Sequence, residues 1–83
     1  MLIWRIPTVT VEMGRKSHAS TYSDIKNGLL TKPVKLGLRS VGIPDYEVKA
    51  IVTARIAGKT DAEIKALVNR LHAKREQLAL ELV

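Results

Sequence analysis

Cysteine and phenylalanine are both absent from this 83-residue chain. Without a thiol there is no disulfide framework, no Cys-ligated zinc site and no thiol nucleophile. Aromatic residues are limited to Trp4, Tyr22 and Tyr46. That leaves little material for the stacking platforms that grip single-stranded nucleic acid. The core must therefore be built from Leu, Ile, Val and Ala. The two histidines, His18 and His72, stand far apart, and no carboxylates with ligand spacing gather round either of them. No metal and no cofactor are expected.

Long apolar runs are also missing. Nothing approaches the roughly 18 consecutive apolar residues of a membrane span, and Arg5 and Glu12 interrupt the apolar N-terminus too early for a signal peptide. A cytoplasmic protein with no membrane association is the expectation. Catalytic arrangements are thin as well. Ser17 and Ser20 lie near His18, but nothing orients the base and no oxyanion site is evident. Gly14-Arg15-Lys16-Ser17 lacks the first Gly and the residue order of a phosphate loop. The chain is expected not to be an enzyme and to have no small-molecule substrate.

What is present is positive charge, unevenly placed. The formal net charge is +6. Residues 1–44 hold seven Lys/Arg against Glu12 and Asp24, a balance of +5, while residues 45–83 hold seven against six, a balance of +1. A basic patch concentrated in one half attracts polyanions, of which nucleic acid is the commonest. With 46% hydrophobic residues the chain can fold, and its length allows one domain with one modest core.

Glycine and proline divide the chain. Residues 2–6 read as a short strand or an extended cover, ended by Pro7. Residues 8–13 alternate like a strand, yet they could form a short helix capped by Thr8. Residues 17–27 read as a helix with Ser17 as N-cap and Gly28 as stop. Its Ala19, Tyr22, Ile25 and Leu29 share one apolar face, taken as the inward one. The other face carries Lys16, His18, Ser20, Thr21 and Asp24. Residues 32–42 read as a β-hairpin turning at Gly37-Leu38 with type II′ geometry. Residues 44–57 read as a helix starting at Pro44, with a stripe of Val48, Ile51, Val52 and Arg55. Residues 60–82 read as a long helix opened by a Thr60/Glu63 capping box, with an apolar stripe of Ile64, Leu67, Val68, Leu71, Leu78 and Leu82.

The segments RIPTV, GRKSHASTYSDIKNGLL, KPVKLGLRSVG and YEVKAI, in this order, resemble the AlpA family of phage-type regulators. The resemblance covers residues 5–57, and KPVKLGLRSVG is its most specific part. It departs from the family where Ile43 and Ile51 stand at usual Trp positions, Leu30 at an aromatic and Thr31 at a Pro. The resemblance implies a MerR-like winged helix-turn-helix. The fold class expected is thus mainly α with a small β-hairpin wing, plus a long C-terminal helix. Residues 1–58 would be the DNA-binding domain. Residues 59–83 would be an amphipathic helix that completes the same unit or serves as a dimerisation element. The resemblance favours helix over strand for residues 8–13.

On that reading the partner is double-stranded DNA. Phosphates demand Arg and Lys, and base edges demand short polar side chains. The helix of residues 17–27 would enter the major groove with Arg15, Lys16, Ser17, His18, Ser20 and Thr21. Lys35 and Arg39 would flank the wing turn, and Lys32 would meet the backbone. Tyr22 is read as a core aromatic. Positions 64, 68, 71, 75, 78 and 82 follow coiled-coil spacing, and a homodimer through this helix is one reading, although Arg75 interrupts the seam. Three functions share these features: a sequence-specific transcriptional regulator of a prophage or mobile element, an excisionase that bends DNA, and a protein-interaction module acting through the C-terminal helix.

Overall fold

In the computed structural model, which describes residues 2–81, the N-terminal segment enters a helix with no turn between. Strand β1 (Ile3–Arg5) runs straight into helix α1 (Ile6–Glu12). Pro7 is the reason this works: within the first helical turn an N–H is dispensable, and the fixed φ already suits the helix. Pro7 therefore lies in the first turn of a helix that begins at Ile6, and Arg5 rather than Thr8 is the cap. Residues 8–12 are helical despite their β-branched content, with Met13 as the C-cap, because Ile6 and Val9 are buried on one face.

Helix α2 spans His18–Lys26. Strands β2 (Val34–Lys35) and β3 (Val41–Pro44) form the hairpin, and helices α3 (Asp45–Ile56) and α4 (Asp61–Glu81) follow. The protein is mainly helical, with four helices and a three-stranded antiparallel sheet of order β1-β3-β2 among the described residues. β3 is central, with Trp4 opposite Ile43 on one side and Lys35 opposite Val41 on the other. Gly42 sits where β3 leaves no room for a side chain. A Cβ there would come within 2.7 Å of Ile3 Cγ2 and 2.8 Å of the Trp4 carbonyl oxygen. No larger residue fits without prising β1 from β3.

The hairpin turn differs from the sequence expectation. Leu36 N–H donates to the Ser40 carbonyl at 2.8 Å, so Gly37, Leu38 and Arg39 form a three-residue loop. Type II′ geometry requires a positive φ at Gly37, and Gly37 is not among the positive-φ glycines. The start of α3 is displaced by one residue: Pro44 closes β3 and is the N-cap, and Asp45 is the first helical residue.

Helices α1, α2 and α3 end alike. The N–H of Gly14 reaches the Val11 carbonyl while that of Arg15 reaches the Thr10 carbonyl, and the same pair of bonds recurs around Gly28 and Gly58. These are Schellman closures, which need a left-handed residue after the cap. Gly14, at φ +69°, supplies it between α1 and α2.

The core consists of Ile6, Val9, Leu30, Ile43, Val48, Ile51, Ile64, Val68 and Leu71. It draws on every helix except α2. Ile64, Val68 and Leu71 of α4 enter the same core as the first 58 residues. Leu67 and Leu78 are half-buried and Arg55 is exposed, while Leu82 lies outside the described residues. Among the described residues no helix is long and apolar enough to cross a membrane.

Candidate nucleic-acid interface

Helix α2 is held by polar contacts, and these decide which of its faces is free. Ser17 caps it, accepting from the Ser20 N–H at 3.3 Å. Thr21 is fully buried. The Thr10 hydroxyl donates to the Ile6 carbonyl at 2.8 Å and has no second proton to give. The 2.7 Å contact between Thr10 and Thr21 is therefore a bond donated by Thr21. Asp24 is also buried, at 4% exposure, and accepts a bidentate pair from Arg15: Nε to Oδ2 at 2.7 Å and Nη2 to Oδ1 at 2.5 Å.

These contacts overturn the outward placing of Thr21 and Asp24 and the inward placing of Tyr22. Thr21 cannot contact a ligand, because its side chain joins α2 to α1. Arg15 commits its fork to Asp24. Its side chain is nonetheless 41% exposed. Tyr22 is 46% exposed rather than packed in the core. One residue along a helix is a rotation of about 100°. Burying Thr21 and Asp24 turns Ala19 and Tyr22 outward, and Ile25 and Leu29 end up only half-buried.

The free face of α2 then carries His18, Ala19, Tyr22, Ser23 and Lys26, with Lys16 and Ser17 exposed just before it and Ser20 half-buried beside it. Tyr22, Ser23 and Lys26 were missed as candidates. The signal that could have found them is Asp24, a carboxylate nine residues after Arg15 that marks a buried pair if both face inward.

Lys32, Lys35 and Arg39 are all exposed. Between residues 13 and 44 the one carboxylate side chain is Asp24, buried and matched by Arg15. Lys16, Lys26, Lys32, Lys35 and Arg39 are in no ion pair among the described residues. Five exposed cations thus share a stretch of chain with no exposed carboxylate. From residue 45 to residue 81, by contrast, exposed carboxylates are interspersed: Lys49, Arg55, Lys59 and Arg75 each face an Asp or Glu, while Lys65, Arg70 and Lys74 are exposed without an ion pair among the described residues.

No family model matches the chain, and no curated protein or solved structure matches it.

The segment between α2 and the hairpin is pinned by α4. Arg75 Nη2 donates to the Lys32 carbonyl at 2.7 Å, and the Lys32 N–H donates to His72 Nε2 at 3.0 Å. His72 must offer a lone pair there, so its ring is neutral with the proton on Nδ1. Burial, reinforced by Arg75, holds its pKa below the usual histidine value. Arg75 also forms a bidentate pair with the fully buried Glu47. Arg75 interrupts the apolar spacing of α4 because it serves this contact within the chain. Thr31, next to Lys32, is fully buried and its hydroxyl has no partner among the described residues. Among the described residues no three His, Asp or Glu side chains group as metal ligands.

Proposed function

We propose that the chain is a sequence-specific double-stranded-DNA-binding regulator of a prophage or mobile element, built as a winged helix-turn-helix and without catalytic activity. α1 and α2 are the helix pair, α2 is the helix that enters the major groove, and the β2–β3 hairpin is the wing. The observation that carries this reading is the set of five exposed cations on residues 13–44, unpaired among the described residues, in the absence of any exposed carboxylate on that stretch. Such a surface repels acidic partners least and releases counterions most when it meets phosphate. The AlpA-like motif KPVKLGLRSVG spans the wing and supplies three of the five cations, Lys32, Lys35 and Arg39.

On the free face of α2 and at its edge, His18, Ser17 and Ser20 are short enough for base edges, and Lys16 and Lys26 bracket them for phosphates. Tyr22 joins this face, where its hydroxyl can meet a phosphate. Lys35 and Arg39 sit beside the wing tip, placed for the backbone or the minor groove. Lys32 contributes a backbone contact, with its own amide and carbonyl fixed by α4.

The test is affinity for a fluorescein-labelled duplex by anisotropy over a salt series. Five phosphate contacts give a log–log slope of about −4.5. Salt-independent binding, or none at low salt, would refute the reading. An excisionase would use the same surface, and distortion of the bound duplex distinguishes that role from simple regulation.

A further inference from the structure

The hairpin tip holds an apolar side chain that the fold does not use. Leu38 is 99% exposed, the most exposed of the large hydrophobic residues. It sits in the middle of the three-residue loop closed by the Leu36–Ser40 bond, with Gly37 on one side and Arg39 on the other. Leu36, at the loop base, is 44% exposed. Below the loop the hairpin is stiffened on both flanks. Val34 and Lys35 pair with β3, β3 pairs with β1, and Gly42 leaves no slack between β1 and β3.

We propose that Leu38 is a wedge that enters the minor groove and opens a base step, kinking the duplex. This deepens the DNA-binding reading and rests on it. The argument is one of complementary chemistry. Lys35 and Arg39 lie three residues before and one residue after Leu38, and the segment from residue 25 to residue 44 has four cations and no carboxylate. A polyanion is the partner that such a tip selects. A duplex offers phosphates at the groove edge and an apolar stack between base pairs within reach of it. Apolar wedges of this kind unstack single steps at an energetic cost, and neighbouring cations hold the deformed backbone. Gly37 and Ser40 are small, so Leu38 can advance ahead of the loop.

A duplex with a central T·T mismatch is already weakened at one step, so a wedge should prefer it. The experiment compares fluorescein-labelled 25-base-pair duplexes, fully paired and mismatched, by anisotropy at low salt. Wild type is expected to bind the mismatched duplex roughly tenfold more tightly, since a mismatched step costs less to unstack than a paired one. Leu38→Ser is expected to bind both equally, and Leu38→Met to keep the preference. Because the side chain is 99% exposed, the urea midpoint of each variant should match wild type. A wild type without preference, or Leu38→Ser with the wild-type preference, would overturn the wedge while leaving DNA binding intact. Absence of salt-dependent binding to either duplex would overturn the DNA reading as well. Leu38-dependent binding to phosphatidylglycerol vesicles in its place would make the tip a membrane element and overturn the proposal.

Discussion

The Arg75 guanidinium grips the Glu47 carboxylate through two bonds, Nε to Oε2 at 2.8 Å and Nη2 to Oε1 at 2.5 Å. Glu47 is fully buried and the Arg75 side chain is 22% exposed. Through this pair α4 is fastened to α3, and through the Lys32 carbonyl it is fastened to the chain entering the hairpin. Removing one partner strands the other charge. Arg75→Met should destabilise the protein by about 3 kcal/mol, whereas Glu47→Leu/Arg75→Met, which removes both charges, should recover most of that loss. Urea unfolding of the two variants tests this: equal midpoints for both would mean that the pair carries no such coupling.

Stability should depend on pH through His72. Its neutral form is the one that accepts the Lys32 N–H, and its pKa is lowered in the folded state by burial and then by Arg75. The unfolded chain therefore takes up the proton first. The contribution is complete above the ordinary histidine value of about 6.5 and is lost as pH falls from there through the lower folded pKa. Thermal unfolding between pH 7.5 and 5 should show a falling Tm in wild type. His72→Gln, which retains an acceptor without titrating, should flatten that slope. An identical slope in both proteins would place the pH dependence elsewhere.

Thr31 offers a gain in stability. Its hydroxyl is buried with no hydrogen-bond partner among the described residues. Thr31→Val keeps the shape and removes the desolvated group, so stability should rise by about 1 kcal/mol. The readout is a higher urea midpoint at unchanged m-value. A drop of similar size would show that the hydroxyl is satisfied in solution.

Arg15 should behave as a positioning residue. Arg15→Ala leaves Asp24 buried without its partner, but Arg15 is 41% exposed. The loss should thus lie near 1–2 kcal/mol, below the figure for a fully enclosed pair. If the pair serves to place α2, Arg15→Lys, which keeps the charge and loses the fork, should also be destabilised. A stable Arg15→Ala variant with weakened DNA binding would instead assign Arg15 to direct contact.

Much of the fold was legible because its signals are local. Ser17, the Thr60/Glu63 box and the glycines at 14, 28 and 58 act within a few residues of where they stand, and the structure shows each closing its helix end. The errors lie where distant residues meet. Apolar spacing turned Tyr22 inward, because the Thr10–Thr21 and Arg15–Asp24 contacts that rotate the helix join residues 11 and nine apart. Arg75 looked like a fault in an apolar stripe, because its partner stands 28 residues away. In the candidate interface the cations at 16, 32, 35 and 39 were visible in the sequence, since exposed charge needs no partner. Tyr22 and Thr21 exchanged places for the reason just given.

The central claim is that the cations of residues 13–44 form the DNA-binding surface, rather than that the protein is merely basic. Two double variants of equal charge change separate these possibilities: Lys35→Ala/Arg39→Ala beside the hairpin tip, and Lys59→Ala/Arg70→Ala at the groove between α3 and α4. The measurement is the salt dependence of duplex affinity. The first variant should have a log–log slope shallower than wild type by about 2, and the second should keep the wild-type slope. Equal effects from both variants, or an effect from the second alone, would contradict the account.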